Sequence, residues 1–225
     1  MPLLVTPAGI ARNKGTRPRE EAVASQTITI SRQYGSGGRE VGEKLAAALG
    51  YTYYDKEVIK RAVEESNISE EFFEKDGEST NSIMSYFFSF ASGSSMTGDE
   101  NALPLPDRIF LIQSKVLKQL AQEGPCVIIG RSADYVLKDR PDLLKVLIHA
   151  DMDTRIERVM RRNSLTEKGA IARIKKIDKG RALYYEQFTG NKWCDALAHD
   201  VTISTSKFTI DQTVEILADI VMNKS

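Results

Sequence analysis

Residues 27–49 read TITISRQYGSGGREVGEKLAAAL, and the order of elements within this stretch decides the fold. The β-branched alternation Thr27-Ile28-Thr29-Ile30 predicts a buried strand. A polar turn follows, carrying Gly35, Gly37 and Gly38, after which Val41, Leu45, Ala46 and Leu49 recur on one helical face. Strand, glycine turn and helix in that order make a phosphate-binding arrangement. Glycines let the backbone approach an anion, their N–H groups point into the turn, and the helix N-terminus adds partial positive charge. Arg39, in the first helical turn, brings a full charge to the same place. A glycine turn alone says little; the flanking strand and helix supply the context that a phosphate loop requires.

The rest of the composition bounds the function. With 225 residues the chain can bury a sizeable core as one domain, with room for a small mobile part. A hydrophobic content of 41% argues for a globular chain and against disorder. Lys+Arg 31 against Asp+Glu 31 leaves no net charge, so neither a nucleic-acid polymer nor a membrane surface is an expected partner. Any anion site must therefore be local. No apolar run approaches the ~18 residues of a membrane span. Cys126 and Cys194 sit in unrelated surroundings and suggest neither a disulfide framework nor a metal site, which fits a cytoplasmic location. Residues 1–26 start basic and are broken by Pro2, Pro7, Gly9, Gly15 and Pro18, the pattern of a disordered tail rather than a secretory signal.

Beyond the first helix, Gly50 predicts its C-cap and residues 51–54 a second short strand, with Asp55 as N-cap of a helix reaching about Ser66. Residues 76–106 turn rich in Ser and Gly around Tyr86, Phe87, Phe88 and Phe90, as in a mobile excursion beside a site or a partner surface. Residues 107–122 have helical apolar spacing. The continuous apolar run 126–129 marks a central strand covered on both faces, stopping at Gly130-Arg131. A short helix over 132–137 and a fourth strand over 143–149 follow. Asp151 then caps a helix carrying Arg155, Arg158, Arg161 and Arg162. A long charged helix is expected over 166–187, a fifth strand over 201–204 and a closing helix over 209–222. Five strands alternating with helices predict an α/β fold with a parallel sheet covered on both faces, and ligands at the carboxyl ends of its strands. The glycine turn, Asp55, Gly130-Arg131 and His149 lie just past those ends. His149 and His199 read as boundary residues, not a catalytic pair.

Four pieces in order, ITISRQYGSGGRE, LGYTYYDKEVIKRAV, LPLPDRIFLIQSKVLKQLAQEGPCVIIGRSADYVL and ARIKKIDKGRALYY, resemble the cytidylate kinase-like branch of the P-loop nucleoside monophosphate kinases. The resemblance runs from about Thr27 to the C-terminus. It implies a three-layer αβα P-loop kinase fold with a five-stranded parallel sheet, an acceptor-binding insertion at about 67–106 and a lid at about 170–193. It further implies that Asp55, Arg61 and Asp178 bind the acceptor, that Arg131 reaches the acceptor phosphate, and that lid arginines including Arg181 close over the transferring group. Substrates would be small nucleotides, with ATP and Mg²⁺ as cofactors and a monomer or homodimer as the working form.

The turn departs from the usual G-x-x-x-x-G-K-[ST], whose Lys reaches the β- and γ-phosphates and whose hydroxyl holds Mg²⁺. Aligned on Gly35 and Gly37, the Lys position falls on Gly38. Shifted by one, Gly38-Arg39 stands for Gly-Lys, but Gln33 replaces the first glycine and Glu40 the hydroxyl residue. The second register gives the better chemistry, because phosphoryl transfer requires a cation beside the γ-phosphate and Arg39 is the candidate in the turn. The expected nucleotide set is thus Gly35, Ser36, Gly37, Gly38, Arg39 and Glu40. The expected catalytic cations are Arg39, Arg131 and Arg181. The expected activity is transfer of the γ-phosphoryl group of ATP to a nucleoside monophosphate such as CMP or dCMP. Two other readings stay open at this stage: a nucleotide-binding regulator that has lost catalysis, and a kinase of the same fold acting on another metabolite.

Overall fold

The computed structural model describes residues 27–66, 68 and 103–223. The expected tail at 1–26 and nearly all of the aromatic Ser/Gly stretch lie outside the described residues. Strand β1 (Thr27–Arg32) is paired on both edges, to β3 (Cys126–Ile129) and to β4 (Leu143–His149). Strand β2 (Thr52–Tyr54) flanks β3, and β5 (Val201–Ser204) flanks β4, giving the order β2-β3-β1-β4-β5 with every pairing parallel. The central strands are buried throughout because parallel crossovers lay helices on both faces.

Successive side chains of β1 and β3 point to opposite faces, and each face has its own helices. On one face Ile28, Ile30, Val127 and Ile129 meet Val41 and Leu45 of α1 (Gly38–Leu49) and Leu217 of α7 (Ile210–Met222). On the other, Cys126 and Ile128 meet Val58 of α2 (Glu57–Glu64) and Leu117 and Leu120 of α3 (Leu105–Leu120). Each such fully buried aliphatic side chain stabilises the fold by roughly 1.5–3 kcal/mol relative to exposure. A third cluster joins Tyr34 of the glycine turn to Val159 of α5 (Met152–Asn163) and to Ile174 and Ile177 of α6 (Glu167–Thr189). The long charged helix is thereby packed directly against the turn. A four-residue helix α4 (Ala133–Val136) follows β3.

Element boundaries differ from the sequence reading at informative places. The N-cap position of helix α2 is Lys56, not Asp55, so Asp55 is released from the cap and stands past the end of β2, where it pairs with Arg39. Helix α3 begins two residues earlier than expected, because Pro106 falls in its first turn, where a missing N–H costs nothing. The caps at Gly50 and Asp151 form as the sequence suggests, and the closing helix adds one more, Thr209 with Gln212 in a reciprocal capping box.

Candidate functional site

The glycine turn leaves β1 and enters α1 through Gly37, the N-cap, whose φ of 83° belongs to the left-handed region that glycine alone adopts without strain. No side chain caps this helix, so its first amides are open to an anion. The turn is strapped in place from several elements. Thr205 Oγ1 donates to the Ser36 carbonyl at 2.6 Å, and Ala150 N–H donates to Gln33 Oε1 at 3.2 Å. Tyr34 N–H donates to Asp178 Oδ1 at 2.8 Å, while Arg155 Nε and Arg158 Nη1 donate to the carbonyls of Tyr34 and Gly35, each at 2.7 Å. Ser36 is fully buried and turns its hydroxyl inward to the Gln33 carbonyl at 2.9 Å.

Two adjoining hollows, of about 380 and 400 Å³, lie along the carboxyl ends of the strands. The first is bordered by Arg32, Arg39, Arg131, Arg162, Arg173 and Arg181, with Asp55 and Asp134 as its carboxylates. The second lies over the glycine turn and is bordered by six arginines with Glu40 and Glu43. A chain with no net charge has thus gathered positive charge in one place. Such a surface selects a polyanion.

Arg131 reaches the first hollow by an unusual backbone path. Gly130, Arg131 and Ser132 all have positive φ, at 64°, 59° and 52°. Two of these are not glycine, and strain of this kind is held where a side chain must be aimed. Arg39 Nε pairs with Asp55 Oδ2 at 2.7 Å, which ties the start of α1 to the end of β2. Arg181 donates to the Arg32 carbonyl at 3.1 Å and lies over the Tyr34 ring, as does Arg173, whose Nε donates to the Tyr34 hydroxyl at 2.9 Å. Gly35, Gly37, Gly38, Arg39, Glu40, Asp55, Arg131 and Arg181 therefore meet along one continuous cleft.

Three residues of the expected set take other positions. Asp178 is engaged by Tyr34 N–H and by the buried guanidinium of Arg155, as a brace beneath the turn. Arg61 is paired with Glu57 and Glu123 and does not border either hollow. Ser36 faces the interior of the turn. Lys44 points away to Asp211, at 2.7 Å, and Glu40, and His149 borders neither hollow.

The charge crowding shows in the ionisation of the groups. Burial, then the neighbouring Arg181, Arg131 and Arg39, hold the Arg32 guanidinium well below its ordinary value, with Asp55 opposing them. Burial also lowers Arg158, while Glu40 opposes. Burial and the Asp55 carboxylate push the Tyr53 phenol up to about 12, so it stays neutral.

Arg32, Tyr34 and the Arg155 brace escaped the sequence reading. Arg32 closes a strand and reads as a solvated end. Arg155 reads as one of four arginines on a helix, where exposure is the default. A signal for Arg32 did exist, since the first of the two motif registers sets it at the leading glycine.

The profile of the family described as the cytidylate kinase-like family matches residues 27–207. A cytidylate kinase of Methanopyrus kandleri is 26% identical over 202 residues, spanning 86% of this chain and 91% of its own. Another, from Methanosarcina acetivorans, is 30% identical over 92 residues, or 40% of this chain and 51% of that protein. Among solved structures, an uncharacterized protein from Eubacterium ventriosum is 26% identical and aligns over 87% of this chain and 98% of its own, with a TM-score of 0.63.

Proposed function

The chain belongs to the cytidylate kinase-like family, and from that premise we propose that it transfers the γ-phosphoryl group of ATP to a nucleoside monophosphate, CMP or dCMP. The observation that carries this reading is the arginine-walled cleft opening directly off the uncapped glycine turn, so that two phosphorylated ligands can meet end to end. ATP places its phosphates on the amides of the turn and the N-terminus of α1, with Arg158 and Arg162 over them. The acceptor monophosphate occupies the neighbouring hollow with its phosphate toward Arg131 and Arg39. Its anionic oxygen attacks the γ-phosphorus, the bond to the β–γ bridging oxygen breaks, and ADP and the nucleoside diphosphate leave. That nucleophile is already ionised and needs no strong general base. Catalysis is positioning and charge neutralisation.

Tyr184 and Trp193 border the acceptor hollow and supply aromatic surface against which a base can rest. Asp134 is buried there and accepts from the Tyr185 hydroxyl at 2.7 Å through Oδ2. A carboxylate suits the exocyclic amine of cytosine, which is a donor, and opposes the carbonyl of uracil at the same position. Mg²⁺ is bound in kinases by one or two carboxylates together with phosphate oxygens and water. Glu40 and Glu43 border the hollow over the turn, so the residues present fit the ion and would hold it there. When bound, it neutralises charge on the ATP phosphates.

An ADP-release assay over CMP, dCMP, UMP, AMP and GMP tests the proposal. The expected result is the highest kcat/KM with CMP or dCMP. ATP binding by calorimetry without turnover of any monophosphate would refute it and favour a nucleotide-binding regulator.

A further inference from the structure

Resting on the phosphoryl-transfer reading above, we propose that cation and glycine have exchanged places in this phosphate-binding turn, so that Arg32 is the fixed catalytic cation at the transferring phosphoryl group. The usual turn runs glycine, four residues, glycine, lysine. Counted from position 32, this chain runs Arg32, four residues, Gly37, Gly38. The cation stands where the motif has its first glycine, and a glycine stands where it has the lysine.

The structure shows why the two changes belong together. Gly38 is the first residue of α1, and a Cβ there would lie 2.6 Å from Arg32 Cβ and 3.2 Å from Arg32 Cγ. The stem of Arg32 fills the space through which a side chain at position 38 would leave the helix. A second glycine answers the other end of the same side chain. A Cβ on Gly130 would lie 2.7 Å from Arg32 Cζ, so the guanidinium rests on the bare backbone at the end of β3. One arginine thus lies against two glycines, Gly38 at the start of α1 and Gly130, whose positive φ adds its own reason for glycine.

The guanidinium is also placed where the chemistry requires charge. Arg32 borders both hollows, the one over the turn and the one for the acceptor. Arg32 itself is half-buried. Asp55, the carboxylate whose field offsets it, is already paired with Arg39 at 2.7 Å. Three other arginines crowd it. A half-buried cation pressed by like charges is relieved by an anion arriving between them, and the phosphoryl group in transfer carries its charge on peripheral oxygens. Arg39 is 41% exposed at its side chain and already engaged, and Lys44 faces Asp211. Arg32 is fixed before the substrate arrives, which is what makes a charge effective in the transition state.

The test uses the full chain with ATP, Mg²⁺ and CMP. Arg32→Met should lower kcat by about 100-fold without lowering the thermal midpoint, because it removes a charge crowded by three other arginines and keeps the volume. Arg32→Gly should be equally impaired, and Arg32→Gly combined with Gly38→Lys, which rebuilds the usual motif, should regain at least about tenfold over Arg32→Gly. A second readout needs no turnover: affinity for a bisubstrate analogue, adenosine and cytidine joined by five phosphates, should fall about tenfold in Arg32→Met. AMP affinity should not change. If the wild-type chain transfers nothing yet shows this pattern with the analogue, the reaction assigned above falls and the placement of Arg32 stands. A folded Arg32→Met enzyme with kcat within threefold of wild type and undiminished analogue affinity would overturn the proposal. A folded double variant no better than Arg32→Gly would overturn the exchange.

Discussion

Removing the carboxylate of Asp178 separates two roles that its sequence position leaves open. The resemblance implies a substrate-binding group; the structure sets it beneath the glycine turn. There it accepts from Tyr34 N–H at 2.8 Å and pairs with Arg155, which is only 5% exposed. Asp178→Ala leaves that guanidinium buried without its partner, a change that costs roughly 3–5 kcal/mol. The Asp178 side chain is 17% exposed, so some water can reach the gap, and the lower end of the range, about 3 kcal/mol, is the better expectation. For a chain of this size that corresponds to a fall in Tm of roughly 6–12 °C.

Scanning fluorimetry and denaturant titration read the loss directly. Replacing both partners, Arg155→Met with Asp178→Leu, should recover most of it, because a packed apolar pair has no charge to desolvate. The turn should loosen in the single variant, so ATP affinity falls with stability, while the acceptor KM measured at saturating ATP changes little. A Tm within 2 °C of wild type together with a large rise in acceptor KM would refute the brace and return Asp178 to the substrate.

Gly37→Ala forces a side chain onto a residue with φ of 83° and sets its Cβ 2.6 Å from Ile210 Cδ1, so ATP affinity by calorimetry should fall about tenfold; unchanged affinity in a folded variant would move the nucleotide elsewhere. Arg131→Ala should raise the acceptor KM strongly with ATP binding intact, whereas Arg61→Ala, outside both hollows, should leave both constants within about twofold. A raised acceptor KM for Arg61→Ala would bring that residue back into the site. Arg61 and the Tyr54 hydroxyl hold the Glu123 carboxylate below its ordinary value of 4.5. A depressed carboxylate stabilises the fold above that value and ceases to do so as pH falls through the folded pKa. Glu123→Gln should therefore lower Tm at pH 7, with the difference shrinking as pH falls below 4.5; a gap that persists at the lowest pH would exclude the ion pair as its cause.

The architecture was legible because it is written in local patterns. Residues 126–129 and 143–149 are continuous apolar runs, and nothing but a sheet covered on both faces accommodates them in sequence with helices between. The glycine turn was legible for the same reason: its flanks are periodic. Asp55 was misread as a cap because an aspartate before a helical pattern satisfies the capping rule, and only the pairing of Arg39 across β2 and α1 shows the competing partner. The Arg155–Asp178 brace spans two helices, and each member taken alone looks like solvated charge. Tertiary pairing of this kind leaves no period in the sequence.

Arg32 lies between these cases, and it shows what a motif departure can mean. Judged residue by residue, the loss of a lysine at position 38 reads as damage to the catalytic turn. In three dimensions the same position is closed by the stem of Arg32, while the tip of that side chain lies against Gly130, whose φ of 64° already favours glycine. Gly38 is then space given up to the stem of the cation. Gly38→Lys with Arg32 retained should clash, while Arg32→Gly alone should leave the turn without its charge. A motif written in one dimension records which residue type stands at each position; the reaction requires only that a fixed positive charge reach the γ-phosphate from a rigid support. The carboxyl end of a central strand, still paired to β4 at Arg32, is as rigid a support as the start of a helix.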